Sequence, residues 1–202
     1  MASLDAALEA VASSTTEGRW EEIARTLDAC ELESPNPRVL DEWPHSLHLL
    51  GHIYNRTLSD ARMLWKRIPA GVKQNNPELE AVWKLLQFSW NRHYQGMWSA
   101  LQGFQWGVQL KPLVDALVVK TRGELMDLIS TAYATVSAAK VATFCGMTEA
   151  DALAACQGQG WTYDAAVGML SVVPKPAPKE QMDGYANLQQ LSEYMVHVEA
   201  AT

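Results

Sequence analysis

The sequence is short of positive charge, of cysteine and of uninterrupted apolar runs. Its 16 Lys and Arg are outnumbered by 23 Asp and Glu, which gives a formal net charge of −7. An acidic chain is poorly suited to binding a phosphate backbone, because that binding needs clustered cations. The three cysteines are odd in number and form no CxxC pair, which disfavours a disulfide framework or a zinc knuckle and favours a reducing compartment.

Signals for a membrane or for secretion are also lacking. The longest stretch without Asp, Glu, Lys or Arg is residues 93–110, which contain four Gln and three Gly and are too polar for a membrane span. Asp5 stands near the N-terminus, where a secretion signal needs basic residues. Because 48% of the residues are hydrophobic, the chain can bury a core, and we expect a soluble intracellular protein of one or two small domains.

Short apolar repeats at helical spacing fill residues 1–110. The predicted helices cover residues 3–13, 18–32, 43 onward, 59–68, 77 onward and 94–103. They are similar in length, their connections are brief, and none can bury its apolar face alone. Stacked in pairs, such helices form a solenoid of the tetratricopeptide kind, which we predict for this region. An irregular helical bundle is the alternative.

Residues 111–173 follow a different pattern. The predicted elements are a long helix from Pro112, a helix over 137–144, a helix from Thr148, and strands near 161–163 and 168–173. Thr148 and Asp151 form a capping-box pattern, in which each side chain satisfies the other residue's exposed N–H group. Three helices followed by a small hairpin describe a winged helix.

The predicted fold is therefore mainly α, with one small α+β part. Its parts are a tetratricopeptide-like helical repeat over 1–110, a winged helix over 111–173, a proline-rich linker over 174–183 and a C-terminal helix over 184–202. The linker should be stiff, since it carries three prolines spaced two apart.

The C-terminal helix carries the spacing of a coiled-coil seam. Its apolar residues at 3-4-3 spacing are Leu188, Leu191, Met195 and Val198. Because a stiff linker precedes the helix, we expect this seam to join a bundle with other chains; folding back on its own domain is the alternative. Tyr194 on the same helix is a further predicted contact. Leu170 and Val172 of the hairpin are also predicted contacts, because a free strand edge can pair with another sheet.

Three histidines cluster on one predicted helix. His45, His48 and His52 fall within about 60° of one another around the helix axis. The opposite side carries the apolar residues Leu47, Leu50 and Tyr54. We therefore predict that the histidines lie on the polar face of an amphipathic helix, either solvated or in an interface. A metal site is disfavoured, because no carboxylate lies in the same arc to orient them.

Catalytic motifs are absent from the sequence. It contains no HExxH, no HxH, no GxSxG and no glycine-rich phosphate loop. Gly158 and Gly160 end a helix instead of following a strand, which excludes a dinucleotide-binding interpretation. Cys145 lies on an apolar stripe with Val141 and Phe144, which is typical of a packed thiol and not of a nucleophile. We predict no enzyme activity, no catalytic residue, no metal and no cofactor.

The predicted recognition helix of the winged helix is also unsuited to nucleic acid. Residues 148–157 contain Glu149 and Asp151 but no Lys or Arg. A helix that reads a groove needs polar or basic side chains on its exposed face and cations nearby for phosphates. Only Gln157 qualifies, so we expect no nucleic-acid binding.

Helical repeats followed by a winged helix are the arrangement of the PCI domain. Subunits of the proteasome lid, the COP-nine signalosome and translation initiation factor three share this domain. Several segments resemble the family of smallest, eighth signalosome subunits, and its plant forms in particular. The segments are DEWP at 41–44, HLLG at 48–51, DARMLWKRIP at 60–69, AYATV at 132–136, FCGMTE at 144–149, GWT at 160–162 and LQQLSEY at 188–194.

The resemblance implies a non-catalytic scaffold subunit of the complex that removes a ubiquitin-like modifier from cullins and so regulates cullin-RING ubiquitin ligases. It implies that the winged helix docks against that of a neighbouring subunit, the third subunit being the usual neighbour, and that the C-terminal helices join a shared bundle. It also implies location in nucleus and cytoplasm and, in plants, a link to photomorphogenesis. The alternatives are the small PCI subunit of the proteasome lid or of initiation factor three and, less favoured, a winged-helix nucleic-acid-binding protein.

Overall fold

The computed structural model describes residues 4–33, 43–164, 167–173 and 183–200. The helices are α1 (Leu4–Glu17), α2 (Trp20–Glu33), α3 (His45–Tyr54), α4 (Leu58–Arg67), α5 (Ala70–Asn75), α6 (Pro77–Trp90), α7 (Tyr94–Gly103), α8 (Lys111–Ala132), α9 (Ala138–Cys145), α10 (Glu149–Gly158) and α11 (Asp183–Ala200). The strands are β1 (Thr135–Ser137), β2 (Thr162–Asp164) and β3 (Met169–Ser171). The fold is mainly α, as predicted. Within these ranges, no helix combines the length and the apolar character needed to cross a membrane.

Helices α1 to α7 form the first part of the molecule, and neighbours along the chain pack together. α1 packs against α2, α2 against α3, and α6 against α7. The apolar face of α2 explains this packing. Its residues Ile23, Leu27 and Cys30 recur at helical spacing and are all buried. The start of α6 is determined locally: the Asn76 side chain accepts a hydrogen bond from the Leu79 backbone N–H at 3.0 Å.

α3 is the central helix of this part. It packs against α2, α4, α6 and α8, and all of its residues except Leu47 and Tyr54 are buried. Gly51 permits the close approach of α2, since a side chain there would press on the backbone and Cβ of Ala24 at 3.3 Å. The helix that the sequence predicted to be amphipathic is therefore enclosed on nearly every side.

The sheet and helices α8, α9 and α10 form the winged helix. β3 lies between β1 and β2, and both pairings are antiparallel. α9 packs against α8, α10 and β1, and α10 also packs against β2. Val136 and Leu170 stand opposite each other across the β1–β3 pair and are both buried. One face of the sheet therefore covers the core of the winged helix.

A polar and aromatic junction connects the helical repeat with the winged helix. The Trp98 indole N–H on α7 donates to the backbone carbonyl of Phe144 on α9 at 2.7 Å. The Arg122 side chain on α8 donates to the carbonyls of Cys145 and Gly146, at 3.2 Å each, and its guanidinium lies 5.5 Å from the Trp98 ring centre. These bonds satisfy carbonyls at the end of α9, which have no partner within the helix.

The structure corrects the predicted elements at several points. α5 was missed, because Pro69 and Gly71 suggested only a turn. β1 was missed, because its last residue, Ser137, was assigned to the following helix. α4 begins earlier than predicted, with Thr57 at its N-cap position in place of Ser59. The predicted break at 34–37 lies outside the described residues.

The capping pair of α10 is also only partly as predicted. The Asp151 N–H donates to Thr148 Oγ1 at 3.2 Å. The Thr148 hydroxyl in turn donates to the Asp151 carboxylate at 2.7 Å. The expected return bond to the Thr148 backbone is replaced by this contact between the two side chains.

Candidate functional site

The predicted seam of α11 is exposed to solvent. Leu188, Leu191 and Met195 are 60–63% exposed, and Tyr194 is 71% exposed. Val198 belongs to the same helix, but its side chain lies outside the described residues. Fully burying a Leu or Met side chain contributes roughly 1.5–3 kcal/mol. An isolated chain therefore leaves a substantial apolar surface on this helix unburied.

The winged helix presents a strand edge, but not through the two predicted side chains. Leu170, in the central strand β3, is fully buried, and Val172, just after this strand, is nearly so. β1 and β2 are both edge strands, and β2 is the more exposed of the two, since all three of its residues are exposed. The exposed apolar residues of β2, of β3 and of the chain around them are Tyr163, Val167, Met169 and Val173. A partner that paired with β2 would meet the backbone of this strand and its exposed side chains.

The helix in the recognition position has a small and acidic outer face. α10 buries Ala152 and Cys156, and it exposes Glu149, Asp151 and Gln157. No Lys or Arg occurs on α10. Such a face would repel a phosphate backbone, and the expectation that the chain does not bind nucleic acid stays a prediction.

The predicted position of the three histidines is wrong. His45, His48 and His52 are all buried. The missing carboxylate comes from the preceding helix, where Asp28 of α2 faces the histidines of α3. Its Oδ1 lies 2.9 Å from His48 Nε2 and 3.4 Å from His52 Nε2. The sequence analysis missed Asp28 because this residue lies on a different helix from the histidines. The signal that could have identified it is an acidic residue beside the buried apolar stripe of α2.

These residues could be taken for a metal site. One ligand atom each from Asp28, His48 and His52 lies within 4.8 Å of the others. Their hydrogen bonds oppose that interpretation. The Trp43 indole N–H donates to His48 Nδ1 at 3.1 Å, so neutral His48 carries its proton on Nε2 and donates it to Asp28. A metal-ligating histidine normally does the reverse and donates from the nitrogen that does not bind the metal.

The cluster is better described as a buried hydrogen-bond network that joins α2 to α3. His52 stacks on His48 with ring centres 4.9 Å apart, and its Nδ1 lies 3.0 Å from the Thr57 hydroxyl oxygen. Burial is the main cause that lowers the pKa of His52, and His48 adds to it. Burial alone would raise the pKa of Asp28, but the two histidines outweigh it and hold that pKa below its ordinary value.

The cysteines behave as core residues. Cys30, Cys145 and Cys156 are buried free thiols. Burial raises the pKa of Cys145 to about 11, and nearby Cys156 adds to the shift while Arg122 opposes it. A thiol with such a pKa carries almost no thiolate at neutral pH, so Cys145 is unsuited to nucleophilic chemistry. This agrees with its prediction as a packed thiol.

Comparison with known proteins assigns this architecture to a family. The model of the CSN8/PSMD8/EIF3K family matches residues 39–181. The chain, a helical repeat joined to a winged helix, belongs to this family.

Within the family, the chain is similar to proteins named COP9 signalosome complex subunit 8. The one from Arabidopsis thaliana is 36% identical over 182 residues, which cover 89% of this chain and 92% of the relative. The one from Danio rerio is 30% identical over 180 residues, covering 89% and 94%. The one from Dictyostelium discoideum is 25% identical over 180 residues, covering 87% and 91%.

Proposed function

We propose that this protein is a non-catalytic assembly subunit of the COP9 signalosome, the complex that removes a ubiquitin-like modifier from cullins. The names of its relatives support membership of that complex. The observation that carries the assembly role is the exposed seam of α11, formed by Leu188, Leu191 and Met195. An apolar helix face of this kind is stable when other helices cover it.

The seam and the winged helix have different roles in this proposal. The α11 seam enters a bundle formed with the terminal helices of other subunits. The β2 edge of the winged helix docks on a neighbouring winged helix, with the third subunit as the proposed neighbour. Leu170 and Val172 contribute indirectly in this proposal. Both are buried, and their packing in the core supports the sheet that carries β2. The exposed side chains of Tyr163 and Met169 make the direct contacts.

The proposal places the chemistry of the complex in other subunits. In the described part of the chain, the groups that could bind a metal form the hydrogen-bonded network of Asp28, His48 and His52. Cys145 is buried and protonated at neutral pH. The proposal includes a location in nucleus and cytoplasm, where the cullin substrates of the complex are expected.

A single substitution in the seam tests this proposal. A tagged chain carrying Leu191→Glu should recover much less of the other signalosome subunits from cell extract than the unaltered chain, because a charge would be buried in the bundle. The control is Gln190→Glu, which adds the same charge at the neighbouring exposed position. We expect roughly tenfold loss for Leu191→Glu and little change for the control. Equal recovery with both variants would contradict the role of the seam.

The subunits recovered also separate the alternatives. Signalosome subunits support the proposal, whereas proteasome-lid or initiation-factor subunits would assign the chain to another branch of its family. Tight, salt-sensitive binding of the purified chain to duplex DNA would support a nucleic-acid function instead. The acidic outer face of α10, with Glu149 and Asp151, argues against that last outcome.

A further inference from the structure

A groove between α4 and α6 has features that the assembly role does not use. It is lined by Arg62 from α4 and by Trp83, Leu86, Phe88 and Trp90 from α6, and its volume is about 450 Å³. This volume lies within the range of roughly 300–1,000 Å³ that is typical of ligand clefts. The groove can accept a few side chains of an extended segment, but not a folded domain.

The aromatic rings of this groove are held in place before any partner binds. Trp83 stacks face to face on Trp65 of α4, with ring centres 4.4 Å apart and planes within 7°. The Arg62 guanidinium carbon lies 5.4 Å from the centre of the Trp90 ring. Trp90 is nevertheless 48% exposed. A guanidinium supported by an indole, beside an open aromatic surface, offers both a charge-assisted and an apolar contact.

The charge around the groove is opposite to that of the whole molecule. Residues 56–92 contain seven Lys and Arg and three Asp and Glu, in a chain of net charge −7. Among the described residues, Arg56, Arg67 and Lys84 of this stretch form ion pairs with carboxylates, whereas Arg62, Lys66, Lys73 and Arg92 form none. Lys66 stands one helical turn from Arg62 on α4. Among the described residues that line the groove, Arg62 is the charged one, and none is Asp or Glu.

We propose that the α4–α6 groove binds an acidic segment of another protein that carries an aromatic or aliphatic side chain. Arg62 has the fork of N–H donors that pairs with a carboxylate. The apolar side chain of the segment would lie on Trp90 and Trp83. A nucleic acid could use the same cations and rings, but the acidic remainder of this chain would repel its continuous phosphate charge. This binding is separate from the seam of α11 and from the β2 edge.

Fluorescence anisotropy with labelled peptides tests the proposal on the full chain. The probe is a twelve-residue peptide of alternating acidic pairs and single Phe or Leu residues. The comparison peptide has Asn and Gln in place of Asp and Glu, and a twelve-nucleotide single-stranded DNA is the third probe. The protein variants are Arg62→Gln and Trp90→Ala, with Lys111→Gln as the control, because Lys111 is an exposed cation at the start of α8.

The acidic peptide should bind, the amide peptide should bind at least about fivefold more weakly, and both groove variants should lose about fivefold in affinity. Lys111→Gln should bind the peptide as the unaltered chain does. The NMR signal of the Trp90 indole N–H, assigned with Trp90→Phe, should shift on addition of the acidic peptide. The proposal is overturned by equal binding of the acidic and amide peptides, by equal losses in Arg62→Gln and Lys111→Gln, or by tighter binding of the DNA.

Discussion

At the level of single residues, Gly146 occupies a position that no other residue fits. It ends α9 in the left-handed conformation with φ 58°, which favours glycine. A Cβ there would overlap the ring of Trp98, and the Trp98 ring is held by its hydrogen bond to Phe144. Conformation and packing therefore select glycine independently, at the junction between the helical repeat and the winged helix.

Gly146→Ala should lower the free energy of unfolding by about 2–4 kcal/mol, as backbone strain and overpacking add together. Gly158→Ala is the matched control, since Gly158 ends α10 with open space around it. That change should leave stability unaltered or raise it by up to about 1 kcal/mol. Urea denaturation followed by circular dichroism measures both. Similar unfolding midpoints for the two variants would refute the described junction.

The His52 side chain should make stability depend on pH. Its pKa in the folded protein is below the ordinary value of 6.5, so near and below pH 6.5 the unfolded chain binds more protons than the folded chain. The stabilisation is complete above that value and is lost as pH falls towards the folded pKa. The free energy of unfolding, measured in urea at a series of pH values, should therefore decrease as pH falls below about 6.5.

His52→Gln removes this titration and should reduce the slope of stability against pH in that window, whatever its effect on stability at pH 8. The lowered pKa of Asp28 produces a separate loss, which begins only near and below its ordinary value of 3.8. A slope in His52→Gln as steep as in the unaltered chain would show that other groups cause the dependence.

At the level of elements, α11 should be dispensable for folding and required for assembly. Its described apolar residues are exposed, so removing residues 183–202 takes little from the folded core. Thermal unfolding of the truncated chain should stay within about 2 °C of the full chain. A fall of several degrees would show that α11 packs on its own domain, which is the alternative to an intermolecular bundle.

Local signals made many elements predictable. Asn76 before Pro77 marked the start of α6, and the long apolar pattern after Pro112 marked α8. α3 shows where such reasoning stops. Its periodicity indicated a polar face with three histidines, but the carboxylate that makes the burial of His48 and His52 possible belongs to α2. A pattern within one helix does not show what the next helix contributes.

At the level of the whole molecule, the surfaces with distinct chemistry are separate. The seam of α11 is apolar, β2 is an exposed edge strand, and the α4–α6 groove is aromatic and cationic. The seam could be predicted from spacing alone, because it lies on one helix. The groove could not, because Arg62 and Trp90 meet only when α4 packs against α6. Such a distribution suits a molecule that contacts several partners at once.

The most direct test is purification of the tagged full chain from cell extract, followed by identification of every protein recovered in stoichiometric amount. The account predicts the remaining subunits of one signalosome, including its catalytic subunit, and their loss when Leu191 is replaced by Glu. Recovery of the chain alone, or with subunits of the proteasome lid or of initiation factor three, would contradict it.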